Sequence, residues 1–319
     1  MGSVIVMAEG EHRVDPGDEW IHRATDELLW NESYYFDVVS DRADLAAYLR
    51  IGRYPNLGVT WWTTMVVGSD RPTVSSVAYD APLAGADGLT VSGGGLEVAM
   101  AVVDPLVEMR VTATAPAAVH DDAADIYRGE PGDPTTLDID LTWASDGLPY
   151  HYEVTTRYEL PCLVTGELTV AGERFTVDSQ GQRDHSWGVR DWWEFGWCWA
   201  ACRLDDGTRV HVADIRIPGM PMAFGYLQPP GGPCLSVDGL VVTESLGPEG
   251  LPTGGRAVVS PTGLALTIEP VAFGPLILTA PDGRTSRFPR AAARFVADDG
   301  RQGMGWIEWN QPDPPMPAQ

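Results

Sequence analysis

The apolar residues of this chain fall in short runs rich in β-branched and aromatic side chains, separated by Gly, Pro, Asp and Asn. Strands are predicted over residues 59–67, 107–114, 151–160, 163–170, 195–204, 208–217, 264–270 and 303–309. Two joins read as hairpins: Val170-Ala171-Gly172-Glu173, leading into 174–177, and Asp205-Asp206-Gly207, leading into 208–217. One helix is predicted over 41–51, where an acidic start precedes Leu45, Ala46, Tyr48 and Leu49 at helical spacing. Residues 115–148, rich in Ala, Asp, Gly and Pro, read as loops or an exposed excursion, and 311–319 as a frayed Pro-rich end. The fold class expected is all-β. At 319 residues the chain favours two units over one, divided near Gly172 into 1–172 and 173–319.

Composition supports this picture: 35 Gly and 26 Pro supply many turns, and a 44% hydrophobic share is enough for a core. No apolar run reaches the roughly 20 residues of a membrane span, and residues 1–11 lack the basic start and apolar stretch of a leader, so a cytoplasmic location is expected. A net charge of −24 opposes binding to nucleic acid or anionic membranes. All 21 basic residues are Arg. Without Lys there is no Schiff-base nucleophile, no lysine-bound pyridoxal and no Walker-type phosphate loop.

Cys162, Cys198, Cys202 and Cys234 have no zinc or redox spacing, and Cys198 and Cys202 would share one strand face as small buried residues. The six His form no His-Glu-x-x-His pattern, and no glycine cluster forms a dinucleotide fingerprint. Neither metal nor other cofactor is expected.

Between two apolar runs lies Gly181-Gln182-Arg183-Asp184-His185-Ser186-Trp187-Gly188-Val189-Arg190-Asp191-Trp192-Trp193. Charged and titratable groups are costly to bury unpaired and concentrate at sites. Within it, pairing of Arg183 with Asp184 and of Arg190 with Asp191 is expected to fix the strand junction. In the hairpin that follows, alternation puts Phe195, Trp197 and Trp199 on one face, and Asp214 in line with Val210 and Val212, opposite His211, Ala213 and Ile215. An acid among apolar neighbours has its charged form disfavoured, which makes Asp214 a candidate general acid, against the alternative of an ion pair with Arg216 or Arg190. Upstream, Glu32 lies among Trp30, Tyr34, Tyr35 and Phe36, a candidate cavity face or a solvated edge.

The Asp184-His185-Ser186-Trp187-Gly188 core, the Arg190-Asp191 pair and the acid of His211-Val212-Ala213-Asp214 resemble the carotenoid 1,2-hydratase (hydroxyneurosporene synthase) and AttH-like family. The segments Trp30-Asn31-Glu32-Ser33-Tyr34-Tyr35-Phe36-Asp37 and Arg53-Tyr54-Pro55-Asn56-Leu57-Gly58 resemble the opening of bacterial relatives of that group. The resemblance implies two lipocalin-like (calycin-like) antiparallel β-barrel domains packed together, with room for an apolar ligand. It also implies acid-initiated chemistry on an isoprenoid double bond, His185, Trp187 and Asp214 matching the family's functional positions, although Val212 replaces the family's aromatic.

These readings converge on a cofactor-independent acid–base enzyme, a hydratase or dehydratase, isomerase or cyclase, acting through a carbocation on an apolar isoprenoid, terpenoid or steroid-like molecule. Asp214 would donate the proton, His185 orient it, and Trp187 with Trp197 or Trp199 face the cation. Trp197, Trp199, Val212, Glu32 and Tyr35 are the expected substrate contacts. The alternative is a non-catalytic carrier using the same cavity. The partner expected is a hydrophobic small molecule, with a homodimer as the candidate assembly.

Overall fold

Strands carry almost all of the regular structure, as the short apolar runs require. In the first half, a single 3-10 turn (Pro16–Glu19) precedes β1 (Trp30–Val39), β2 (Ala46–Tyr54), β3 (Val59–Gly68), β4 (Arg71–Pro82), β5 (Thr90–Gly93), β6 (Leu96–Asp104), β7 (Glu108–His120), β8 (Asp133–Ser145), β9 (Tyr150–His151), β10 (Arg157–Val170) and β11 (Glu173–Val189). The second half holds β12 (Gly196–Leu204), β13 (Arg209–Ile217), β14 (Met220–Gln228), β15 (Leu235–Ser236), β16 (Gly239–Leu246), β17 (Pro252–Ser260), β18 (Leu264–Phe273), β19 (Leu276–Thr279), β20 (Thr285–Phe288), β21 (Arg290–Ala297) and β22 (Gln302–Pro312). This computed structural model describes residues 14–85 and 87–313. The segment read for a leader and most of the Pro-rich end lie outside the described residues.

The first sheet runs β4-β3-β2-β1-β11-β10-β8-β7-β6-β5, and β4 also pairs with β7. The ring from β4 round to β7 therefore closes on itself, which removes the free edges of those strands. Its interior is filled by residues such as Phe36, Leu49, Trp62, Val111, Leu141 and Trp143. The second sheet follows the order β15-β14-β13-β12-β22-β21-β18-β17-β16 and curls around Val210, Leu266, Phe295, Ile307 and Trp309. All strand pairs are antiparallel. The two-barrel architecture expected from the sequence is the one observed.

A third apolar cluster joins the two lobes. Tyr48, Tyr54, Trp61 and Met65 of β2 and β3 pack against Trp193, Trp199, Leu276 and Trp306. The Trp306 indole donates to Val38 O at 3.0 Å and Tyr48 Oη to Gly274 O at 2.9 Å, so the polar tips buried here are paired.

This burial explains a correction. Residues 41–51 form no helix; Ala46–Tyr54 is a strand. It is covered on one face by the barrel interior and on the other by the second lobe, so it shows no alternation to read, and Leu45, Tyr48 and Leu49 matched a helical spacing by coincidence. Residues 115–148 are likewise not a loop excursion. They hold the end of β7, a single helical turn (Asp125–Arg128) and β8, in which Leu137, Ile139, Leu141 and Trp143 alternate inward with outward Asp138, Asp140 and Thr142. The run 151–160 is broken at 152–156, while both predicted hairpins are present. Gly172 sits in the β10–β11 turn of the first sheet, and the chain passes to the second sheet only at 190–195. Cys198 and Cys202 are buried on one face, as expected. Among the described residues, no helix is long and apolar enough to cross a membrane.

Close strand packing makes one glycine indispensable. Gly225 of β14 has φ +138°, and a Cβ there would lie 2.0 Å from His211 O. Gly225→Ala is expected to lower unfolding free energy by at least about 2 kcal/mol, checked by urea denaturation; a loss within error would show that β14 can move aside.

Candidate active site

Period-two alternation along β11 sorts the charged motif onto two faces. Arg183, His185 and Trp187 point into the first barrel, whereas Asp184 and Ser186 point out toward the second lobe. Neighbours in sequence are thus apart in space, and the expected Arg183–Asp184 pair does not form. Arg183 instead grips the buried Glu19 carboxylate with two hydrogen bonds of 3.1 and 2.7 Å. Asp184 pairs with Arg157 at 2.7 Å and Asp191 with Arg284 at 3.1 Å. Arg190 forms no ion pair among the described residues, and its Nη2 is buried without a hydrogen-bond partner.

Inside the first barrel, Glu32 Oε1 lies 2.7 Å from His185 Nε2 and 2.8 Å from His22 Nδ1, while His185 Nδ1 meets Asp18 O at 2.6 Å. His22 stacks on Trp187 with centroids 3.6 Å apart. The donor atoms of His22, Glu32 and His185 lie within 4.8 Å of one another and are of types that ligate transition metals. Their short separations are those of hydrogen bonds, because ligands each about 2.0–2.2 Å from a tetrahedral ion stand about 3.3 Å apart. The cluster ties residues 18–22 to the barrel mouth.

Its charges favour one another. Burial alone would raise the Glu32 carboxyl, but hydrogen bonds from His185 and His22 hold it below its usual 4.5. Burial would lower the His22 imidazole, yet Glu32 and Asp18 raise it above 6.5. The His22 contribution to stability is therefore full below 6.5 and is lost as pH rises through the raised value. Melting curves on either side of that range should show a pH dependence that shrinks in His22→Gln; an unaltered dependence would remove His22 from the tether.

Between the lobes lies a cavity of about 330 Å³. β1 contributes Ser33 and Tyr35, β2 Arg50, the 152–156 break Tyr152, β10 Arg157, and β11 Asp184 and Ser186. The 190–195 connection adds Arg190, Trp192 and Phe195, while β12, β13 and β14 add Trp197, Trp199, Ala213, Ile215 and Phe224. Both strand-β12 indoles are fixed at the nitrogen: Trp199 Nε1 donates to Glu159 Oε1 at 3.0 Å, and Trp197 Nε1 to Glu308 Oε1 at 2.8 Å. Tyr35 Oη donates to Asp37 Oδ2 at 3.1 Å, behind the wall. This is an aromatic cleft with a few convergent polar groups, the usual make-up of a small-molecule site.

Its floor is a buried charge network. Glu159 accepts from Arg157 Nε at 2.9 Å, Gln182 Nε2 at 2.9 Å and Trp199. Although burial opposes ionisation, the Arg157 charge and the hydrogen bonds from Gln182 and Trp199 hold Glu159 below its usual range. Asp184 differs. Burial pushes its carboxyl up, Glu159 adds to the rise, and Arg157, Arg190 and Arg50 only partly oppose it, leaving the group at about 6. Nearby, burial lowers the His211 imidazole. With Nδ1 donating to Ala200 O at 3.0 Å, neutral His211 accepts the Tyr152 hydroxyl at Nε2, 2.6 Å away.

The predicted residues therefore divide three ways. Tyr35, Trp197, Trp199, Asp184, Arg190 and Asp191 line the cavity; His185, Trp187 and Glu32 meet inside the first barrel; Val212 and Asp214 lie on the opposite face of β13 from the cavity. The expected contact of Asp214 with His185 is not made. Asp214 shares the face of Val210 and Val212, and its carboxylate pairs with Arg216 at 2.9 Å. Sequence reasoning did not single out Tyr152, Arg157, Glu159 or Arg50. For His211 a signal existed, since alternation already placed it on the face of Ala213 and Ile215, which is the cavity face.

A closed antiparallel barrel and a curled partner sheet enclosing a cleft between them define a two-lobed protein of the lipocalin type. The chain belongs to the family described as "Domain of unknown function (DUF7064)", whose model matches residues 15–313. Among solved structures it resembles an AttH-like protein of Nitrosomonas europaea (13% identity, TM-score 0.60, covering 95% of this chain and 98% of that one). Kievitone hydratase of Nectria haematococca is similar at 14% identity and TM-score 0.62, covering 96% and 95% of the two chains. CghA in complex with Sch210972 is similar at 11% identity and TM-score 0.58, covering 89% and 88%. No curated protein matches. At these identities the likeness establishes the shared fold and supports the AttH-like side of the sequence resemblance.

Proposed function

We propose that the protein is a cofactor-independent acid–base enzyme acting on a largely apolar small molecule in the cavity between its lobes. The observation that carries this reading is Asp184, a buried carboxyl raised to about 6 that opens on an aromatic-walled cleft. In this reading Asp184, not Asp214, is the general acid. It transfers its proton to an alkene carbon, or to a hydroxyl that then leaves as water. The resulting cation lies against the faces of Trp197 and Trp199, each well-placed ring contributing about 0.5–2 kcal/mol. Added water gives up its proton to Tyr152 as the tyrosine proton passes to His211, or the cation returns a proton to the Asp184 carboxylate, or an internal alkene attacks it and the new ring cation loses its proton to Asp184. These endings are hydration, isomerisation or dehydration, and cyclisation.

Kievitone hydratase among the similar structures and the resemblance to carotenoid 1,2-hydratases favour chemistry of this kind, and CghA, solved with Sch210972, supports a small-molecule ligand. His185 and Trp187 act from behind, fixing β11 and so the position of Asp184. A panel of isoprenoid alkenes and alcohols incubated in heavy-oxygen water tests the proposal, because label uptake separates hydration from isomerisation. A carrier without chemistry would bind members of the panel and return every one unchanged.

A further inference from the structure

The acid accounts for only part of the cavity's charge. Four guanidiniums line it, from Arg50, Arg157, Arg190 and Arg290, and two have their own acids: Arg157 pairs with Asp184 and Glu159, and Arg290 with Glu308. Arg50 and Arg190 have none among the described residues. Arg50 is built in: it lies over the Trp192 ring, 4.8 Å from the centroid, and donates to Asn31 Oδ1 at 3.4 Å. A Cβ at Gly52 would stand 2.5 Å from Arg50 Nη1, so the glycine keeps the space that the side chain occupies. Arg190 has its Nη2 buried with no partner, an expensive arrangement for a group whose hydrogen bonds are charge-assisted. Burial and the neighbouring Arg157 and Arg50 charges pull it down to about 10 against the opposing Asp184 carboxylate, which forms its ion pair with Arg157 and not with Arg190.

We infer that Arg190, supported by Arg50, forms an oxyanion subsite, and that the molecule held between the lobes carries a carboxylate or comparably acidic oxygen on its apolar body. This rests on the proposed function only for the location of the ligand. A bidentate acceptor would satisfy the buried Nη2 and supply the missing counter-charge. It would also orient the body, whose apolar part then lies along Trp197, Trp199 and Phe224 with its reactive portion near Asp184. A neutral hydrocarbon leaves Arg190 unpaired and gains no orientation.

Calorimetry with matched pairs, geranate against geraniol and decanoate against decanol, tests this at neutral pH. The acid of at least one pair should bind about tenfold tighter or more than its alcohol. Arg190→Gln should erase that preference while leaving the alcohol's affinity and the melting temperature near wild type, and Arg50→Gln should reduce it. Equal binding of acid and alcohol in both pairs, tighter binding of the alcohols, no binding of either, or a preference that survives in Arg190→Gln overturns the subsite. Because binding alone is read, the result is independent of turnover. A carrier would still show the preference, and an enzyme for neutral substrates would not.

Discussion

Asp184→Asn is expected to reduce turnover about 10²–10⁴-fold, the usual contribution of a positioned general acid, while substrate still binds. Asn has nearly the shape of the carboxylic acid but cannot release a proton, so the loss should fall on kcat more than on KM. The pH profile supplies an independent check. In the proposed mechanism the reactive form of Asp184 is the protonated one, so wild-type activity should be full below about 6 and decline as pH rises through that value. Were the carboxylate the working form, activity would instead rise through the same value. A profile that is flat there, or turnover of Asp184→Asn within a few-fold of wild type, would take the acid's role from this residue.

The largest effect on stability is expected at Glu19. It is fully buried and receives both terminal nitrogens of the buried Arg183, and it also accepts the Leu106 amide at 2.9 Å. Glu19→Gln leaves a guanidinium inside the barrel without a counter-charge, a change that costs about 3–5 kcal/mol. The double variant Glu19→Gln/Arg183→Met removes the stranded charge and should recover a substantial part of that loss, as read by urea denaturation. If the double variant is no more stable than Glu19→Gln, the cost lies in packing of the Pro16–Glu19 turn rather than in the unpaired charge.

Strand content, both hairpins and the two-barrel plan were legible because most strands bury one face and alternate accordingly. Where the second lobe covers the outer face, as over β2, the alternation vanishes and the spacing of Leu45, Tyr48 and Leu49 mimics that of a helix. The motif at 181–193 was found by its chemistry, but the assignment of roles within it depended on which face of β11 meets the other lobe. That is set by pairing of β11 with β1, about 150 residues earlier. Adjacent strand residues point oppositely, so Arg183 and Asp184, next to each other on β11, cannot pair with each other. The true partners, Glu19 for Arg183 and Arg157 for Asp184, come from segments that only the tertiary fold brings near.

The 190–195 connection, where the chain passes from one sheet to the other, limits how this chain can change. Asp184 belongs to one sheet and Trp197 and Trp199 to the other, so each lobe alone carries only half of the cleft. A ligand seated across the join binds only the docked pair, and by mass action it should draw the melting of both lobes into one transition at a higher temperature. Gene fission at this connection would therefore cost recognition and cooperativity together, even if each sheet still folded.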